Sequence, residues 1–152
     1  MVFDKSNTKH AQFAPVLEWV TAGKGRIIYG GTKYSQELRD SPQYVAILAE
    51  LSRQSRTIQI PTARVDEIAK GIKEQVASER FNDEHLIALV IASRCCVVCT
   101  VDNGAIKYLR RPGLFSDHKM KRPRIFKGTK SNCKLCSDKY LAPICLPSRK
   151  NM

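Results

Sequence analysis

The chain has no apolar run long enough to cross a bilayer, and its first residues, MVFDKSNTKH, lack the charged-then-apolar layout of a signal peptide. These absences argue against a membrane-spanning or secreted protein, and we expect a cytoplasmic one. Cysteine occurs six times, which in a cytoplasmic chain does not indicate a disulfide scaffold. With 152 residues and 43% hydrophobic content, one domain with a real core is the simplest expectation.

Acidic residues are scarce in the last third of the chain. Residues 107–152 carry 13 Lys and Arg but only 2 acids, Asp117 and Asp138, so their net charge is +11. Residues 1–106 carry 13 Lys and Arg against 12 acids, a net charge of +1. A neutral body with a basic end is typical of a protein that contacts RNA or DNA. The alternative is a solvated extension that only aids solubility.

Short apolar runs alternate with helical patterns. Strands are predicted at RIIYGG (26–31), TIQIP (57–61), CVVCT (96–100) and RIFKG (124–128). Helices are predicted at 13–20, after a cap at Thr32 and on to Leu51 with a break at Pro42, and after a cap at Thr62 and on to Val76. Two more are predicted through HLIALVIAS after a cap at Asn82 or Asp83, and at 103–110, followed by a turn at Pro112-Gly113. This alternation predicts an α/β protein with a parallel sheet covered on both faces.

Three carboxylates follow or feed the predicted strands. Glu37 lies shortly after the first strand, Asp102 lies two residues past CVVCT, and Asp83 begins the helix that leads into CVVCT. Sites in parallel sheets form beyond the carboxyl ends of the strands, so Glu37 and Asp102 are expected at one edge. Asp83 joins them if the preceding connection brings its helix start to that edge. Such a cluster would suit Mg²⁺ or Mn²⁺, whereas taken singly Asp83 is a helix cap and Glu37 a solvated helix residue.

Several of these stretches resemble the PIN domain, a family of small metal-dependent nucleases. DEHLIALV (83–90) followed by CVVCTVD (96–102) is similar to the family's acid-bearing helix and its strand-Thr-any-Asp motif. GKGRIIYGGTKYSQEL (23–38) looks like its second strand and second acid, and RPRIFK (122–127) looks like its last strand. The resemblance implies a PIN-like domain over 1–130, a three-layer α/β/α sandwich with a central parallel sheet, followed by a basic, cysteine-containing tail over 131–152.

The resemblance also implies an activity and its residues. A PIN-like chain would be an endoribonuclease that uses Mg²⁺ or Mn²⁺, with Glu37, Asp83 and Asp102 as acidic ligands and Thr100 orienting them. His85 is interpreted as structural, or at most as a contact to substrate. The family implies RNA as substrate, and it includes toxins that an antitoxin-like protein inhibits; a homo-oligomer is a further possibility.

The beginning of the chain departs from the family pattern. PIN domains open with a central strand that ends in Asp-any-Asn or Asp-any-Ser. Met1-Val2-Phe3 looks like the end of the first helix, which would mean that the first strand and first acid are missing. In the alternative interpretation, Asp4-Lys5-Ser6 is a cramped form of the motif and Met1-Val2-Phe3 is a vestigial strand. A sheet without its middle strand would leave backbone amides of its neighbours unpaired.

The basic end contains Cys133-x2-Cys136 and Cys145, to which His118 could add a fourth zinc ligand. Free thiols on a partly disordered extension are the expected alternative. RNA contacts are predicted at Arg110, Arg111, Lys119, Lys121, Arg122, Arg124, Lys127 and Lys130. A non-catalytic RNA-binding module on a degenerate PIN fold is the second hypothesis for function, and a zinc-ribbon DNA-binding protein is the third.

Overall fold

The computed structural model describes residues 14–100, 102–128 and 134–146. In chain order its helices and strands are α1 (Ala14–Ala22), β1 (Ile27–Tyr29), α2 (Thr32–Arg39), α3 (Pro42–Arg53), β2 (Thr57–Gln59), α4 (Thr62–Gln75), α5 (Glu84–Ser93), β3 (Val97–Cys99), α6 (Asn103–Leu109), α7 (Pro112–Ser116) and β4 (Arg124–Phe126). Two 3₁₀ turns, Asp138–Tyr140 and Pro143–Cys145, follow.

The strands form two parallel pairs. β1 pairs with β2, with Ile28 opposite Ile58, and β3 pairs with β4, with Val98 opposite Ile125. The expectation of a mixed α/β protein with parallel pairing is therefore confirmed. Within the described ranges the strands make two sheets of two strands each, and a three-layer sandwich around one central sheet is not shown. The inner strands β1 and β3 instead line a common cavity.

The largest part of the core lies between α4 and α5. Ile72 and Val76 of the α4 segment pack with Ile87, Val90 and Ile91 of α5. Helix α5 is apolar around most of its circumference and is buried along most of its length, as its sequence predicts. None of the described helices is both long enough and apolar enough to pass through a membrane.

Two glycines make the sharp entry into α2 possible. Gly30 has a φ of 154° and Gly31 a φ of 98°, a region that residues with a side chain rarely adopt. A Cβ at Gly30 would lie 2.5 Å from the carbonyl oxygen of Ile60, so a side chain has no room there. Helix α2 therefore starts directly after β1 and stays close to the sheet.

Two local predictions need correction. Thr32 and Thr62 are the first residues of α2 and α4, whereas the capping positions belong to Gly31 and Pro61. Pro112 begins the short helix α7 and does not form a turn with Gly113. Proline is favoured at the first helical position because its missing N–H has no partner there in any helix.

The described part of the basic end is packed against the body. Leu135 and Cys136 contact the apolar cluster around Val16 and Phe126, and Ala142 is 3% exposed. Phe126, on the last strand, is fully buried. Residues 134–146 therefore form a segment docked on the body, called the docked segment below.

Candidate functional site

Basic side chains converge on one open cavity of about 820 Å³, called the basic groove below. Five cations and no carboxylate line it, and most of the other lining residues are apolar. Its lining residues are Arg110, Pro112, Ser116, Met120, Lys121, Arg122, Pro123, Arg124, Ile125, Lys134 and Leu135. Five of the 13 Lys and Arg residues of the last third of the sequence thus line one concave surface.

Four segments bring these cations together. Arg110 follows the last residue of α6, and Arg124 begins β4, where its N–H donates to the carbonyl oxygen of Cys96 at 2.8 Å. Between them, Arg122 Nη1 donates to the Arg110 carbonyl oxygen at 2.8 Å, which ties the loop before β4 to the end of α6. Lys134 comes from the docked segment. The groove therefore requires both the sheet and the packed tail.

The predicted RNA-binding residues are only partly brought together. Arg110, Lys121, Arg122 and Arg124 line the groove, and Lys134, which the sequence analysis missed, joins them. Arg111, Lys119 and Lys127 are not among the lining residues. Lys130 lies outside the described residues.

Arg111 has a different role in the structure. Its Nη2 lies 2.6 Å from Oε1 of Glu79, and its Nη1 donates to Oε2 of Glu79 at 2.8 Å. The guanidinium carbon also lies 4.3 Å from the centroid of the Tyr108 ring, and the Phe81 ring stacks on the same Tyr108 ring at a centroid distance of 3.7 Å. The bidentate contact with Arg111 lowers the pKa of Glu79 to about 2. Arg111 therefore links α6 to the segment between α4 and α5.

Glu37, on α2, reaches the start of α5. Its Oε2 lies 3.5 Å from Nε2 of His85, whose side chain is largely buried. Lys33 of the same helix donates from Nζ to the carbonyl oxygen of Asn82. These two contacts place one face of α2 beside Asn82, Asp83 and His85.

Asp83 occupies the capping position of α5 without making a capping hydrogen bond through its side chain. Asp residues at this position usually accept from a backbone N–H of the first turn. The simple interpretation of Asp83 as a helix cap is therefore not what its geometry shows. Its carboxylate is half-buried and lies in the segment that Glu37 approaches.

Asp102 and Thr100 follow β3. The Oδ1 of Asp102 accepts from the backbone N–H of Gly104 at 2.8 Å and from that of Ala105 at 3.4 Å. The hydroxyl of Thr100 accepts from the backbone N–H of Asp102 at 3.1 Å, which fixes the turn into α6. The Thr100 hydroxyl therefore contacts the backbone of Asp102, and the Asp102 carboxylate caps α6. The role of Thr100 in orienting an acidic cluster stays a prediction.

The three carboxylates predicted as metal ligands do not meet in one group among the described residues. Carboxylate oxygens suit Mg²⁺ or Mn²⁺, and Mg²⁺ usually binds through one or two protein carboxylates together with water and substrate phosphate. Across residues 14–100, 102–128 and 134–146, no three side chains of His, Cys, Asp or Glu come together as a group that could hold a metal ion. Glu37 contacts His85, two residues after Asp83, and no contact among the described residues joins the carboxylates of Glu37, Asp83 and Asp102.

Asp66 is a carboxylate near this region that the sequence analysis overlooked. Its Oδ1 accepts from the backbone N–H of Thr32 at 2.9 Å, and its Oδ2 accepts from the Thr32 hydroxyl at 2.5 Å. Asp66, on α4, thereby satisfies a backbone N–H in the first turn of α2. The contact is long-range, because α2 follows β1 whereas α4 follows β2. The only sequence signal was its place in the first turns of α4, just past the end of β2.

The basic groove and Asp102 lie at opposite ends of the second sheet. Arg124 begins β4, whereas Asp102 follows the end of β3, and the two strands are parallel. Helix α6, seven residues long, runs from Asp102 to Arg110 and so separates them by about 10 Å. A nucleic acid in the groove would have to extend along α6 to reach Asp102.

The cysteines of the tail are spread over different surroundings. Cys136 lies near Cys99 in the apolar cluster of Phe126, while Cys145 lies with Cys95 and Cys96 beside Tyr140. Burial raises the pKa of the Cys95 thiol to about 11, and it raises the pKa of Cys99 further. His118 lines a separate cavity beside α4. Cys133 lies outside the described residues.

Comparison of the chain with protein-family models, with curated proteins and with solved structures found no match. The likeness to the PIN domain therefore depends on the motifs of the sequence alone.

Proposed function

We propose that this protein binds RNA by holding its phosphate backbone in the basic groove. The observation that carries this proposal is the set of five cations, without a carboxylate, on one concave surface. Five like charges on one surface repel one another, so their convergence is best explained by a polyanion that neutralises them.

The type of contact follows from the side chains of the groove. Arginine can donate two parallel hydrogen bonds to a phosphate, whereas lysine acts as a point charge. The lining of the groove, taken over the described residues, contains no aromatic side chain on which a base could stack. Phosphate contacts position a nucleic acid without reading its sequence, so binding should tolerate many RNA sequences.

The binding proposal can be tested with a short fluorescent single-stranded RNA. Replacing Lys121, Arg122 and Arg124 together by Gln is expected to weaken binding at least about tenfold, because three phosphate contacts are lost. The matched control is Lys70→Gln on α4, an exposed cation outside the groove. Equal affinity of the triple variant and the control would exclude the groove. Duplex DNA measured alongside separates a preference for RNA from general polyanion binding.

A second candidate function is Mg²⁺- or Mn²⁺-dependent cleavage of RNA, as the likeness to PIN nucleases implies. The contact between Glu37 and His85 favours it, because it brings Glu37 to the segment where the Asp83 carboxylate makes no capping bond. A metal ion held there would supply activation of a water molecule and charge stabilisation. Glu37 and Asp83 would hold it, and Asp102 with Thr100 would join if the two sheets were drawn together.

Cleavage is tested by incubating labelled RNA with Mn²⁺ and the variants Glu37→Gln and Asp83→Asn. Both should lose cleavage while their RNA affinity stays unchanged, because neither acid lines the groove. Glu67→Gln, an exposed acid on α4, is the matched control. If both variants cleave like the wild type, the cleavage has another origin and RNA binding alone describes the protein. An antitoxin-like inhibitor and a homo-oligomer stay predictions from the resemblance.

A further inference from the structure

The docked segment meets the body of the protein at a small cavity of about 40 Å³, called the thiol cavity below. Arg26, Cys95 and Cys96 line it from the body, and Tyr140, Leu141 and Cys145 line it from the docked segment. Two neighbouring thiols of the body and one thiol of the tail therefore border the same small space. The side chains of Cys96 and Cys145 are both free thiols and both half-buried, so a reagent in solvent has access to them.

Of the two neighbouring thiols of the body, Cys96 is the one directed at the tail. Its Sγ lies 3.9 Å from the carbonyl oxygen of Leu141, 45 positions later in the chain, and 3.8 Å from that of Arg94. The Sγ of Cys95 instead donates to the carbonyl oxygen of Val97 at 3.1 Å, within its own stretch of chain. The thiol of Cys96 is therefore the better placed to react with a group of the docked segment.

Cys145 is held on the other side of the thiol cavity by a 3₁₀ turn. Its backbone N–H donates to the carbonyl oxygen of Ala142 at 2.8 Å, and Ala142 is 3% exposed. Burial raises the pKa of the Cys145 thiol most, whereas the charge of Arg26 lowers this pKa and the charge of Cys96 raises it. The sulfur of Cys145 thus lies within electrostatic range of Cys96.

The reactivity of these two thiols is moderate. Burial raises the pKa of Cys96 as well as that of Cys145. Only a thiolate attacks a disulfide, so exchange with a disulfide in solution is slow at neutral pH. The two side chains therefore stay reduced until an oxidising disulfide is supplied, as a conditional link requires.

We propose that Cys96 and Cys145 form a redox latch, a thiol pair that closes to a disulfide with oxidised glutathione and so fastens the docked segment to the start of β3. The Cys96 thiolate, its proton released to solvent, attacks one sulfur of oxidised glutathione, whose S–S bond breaks and whose other half leaves as a thiolate. The Cys145 thiolate then attacks the Cys96 sulfur of this mixed disulfide and displaces the second glutathione. Two protein thiols are oxidised, and one glutathione disulfide is reduced to two glutathione molecules.

The latch would act on the stability of the fold. A disulfide between distant positions restricts the unfolded chain, and its effect grows with the length of the loop that it closes. Closing the latch also keeps the docked segment on the body during local opening. The inference concerns the docked segment and holds whether or not the basic groove binds RNA.

The direct test is disulfide mapping of the full-length protein after incubation with oxidised glutathione at about pH 8.5, where more thiolate is present. Free thiols are then blocked, and the protein is digested with trypsin without reduction. Peptide 95–107 contains Cys96, while Cys133, Cys136 and Cys145 fall in three separate peptides, 131–134, 135–139 and 140–149. Mass spectrometry should find 95–107 linked to 140–149.

Fragmentation of the linked peptide should assign the bond to Cys96 and not to Cys95 or Cys99. Blocked or glutathione-bearing Cys96 and Cys145, a link of Cys145 to another cysteine, or a link between two chains seen as a dimer on a non-reducing gel would each overturn the inference.

Matched variants test the effect on stability. Oxidised wild type and oxidised Cys95→Ala should unfold in urea at a midpoint higher by about 1 M or more than the same proteins after reduction. Cys96→Ser should show no such shift, because its latch lacks one sulfur. An equal shift in Cys96→Ser, or none in the wild type, would overturn the inference. If Cys95→Ala does not fold, the fragmentation of the wild-type linked peptide decides between the two neighbouring thiols.

Discussion

The Oδ1 of Asp102 accepts a 2.8 Å hydrogen bond from the backbone N–H of Gly104. The carboxylate predicted as a metal ligand is therefore engaged in capping α6, one of the two helices that lead to the basic groove. Asp102 makes both capping hydrogen bonds through Oδ1, which leaves Oδ2 for other contacts. Capping and metal binding can therefore be separated by mutation.

Asp102→Ala is expected to lower the free energy of unfolding by about 1 kcal/mol, because the first turn of α6 loses its cap. Asp102→Asn removes the charge but keeps an oxygen that can cap, so its stability should stay close to that of the wild type. Urea unfolding of the three proteins measures this. An equal loss in both variants would mean that the charge, and not the cap, stabilises the fold.

The Glu79–Arg111 contact predicts a pH dependence of stability. The pKa of Glu79 is lowered from 4.5 to about 2 by Arg111. A carboxylate with a lowered pKa stabilises the folded state above the pKa of the unfolded chain, so this contribution is present above about pH 4.5 and is lost as the pH falls toward 2.

Glu79→Gln should therefore reduce stability at pH 7 and flatten the decline of stability between pH 4.5 and pH 2. Unfolding midpoints in urea at several pH values measure both effects. The matched control is Glu50→Gln, which removes an exposed pair with Arg53 on one helix and should change stability little. Parallel pH profiles of wild type and Glu79→Gln would contradict this role of Glu79.

The docked segment gives a prediction about the tail. Leu135→Ala should lower the free energy of unfolding by about 2 kcal/mol, because Leu135 packs with the cluster of Val16 and Phe126. Leu146→Ala is the control, since Leu146 is 53% exposed and should change stability by about 0.5 kcal/mol or less. If Leu135→Ala is as mild as the control, the segment is not docked in solution.

The elements could largely be predicted from the sequence, because their signals are local. Apolar runs such as IIY and VVC identify β1 and β3 to within a residue or two, and Pro42 marks the break between α2 and α3. Parallel pairing follows from the alternation of strands and helices. The division into two sheets does not, since no local pattern specifies which strands pair.

The candidate site was less predictable, because its members meet only through long-range packing. Charge density identified Arg110, Lys121, Arg122 and Arg124, but it equally suggested Arg111, which Glu79 binds from 32 positions earlier in the chain. Lys134 enters the groove because Leu135 docks beside Phe126. Contacts of this kind carry no local sequence signal.

The most direct measurement for the account is the salt dependence of RNA affinity. If single-stranded RNA contacts all five groove cations, the logarithm of the association constant should fall with the logarithm of the salt concentration with a slope of about −3.5. The variant with Gln at positions 121, 122 and 124 should show a slope near −1.4, while Lys70→Gln keeps the wild-type slope. An identical slope for the triple variant and the wild type would contradict RNA binding in the basic groove.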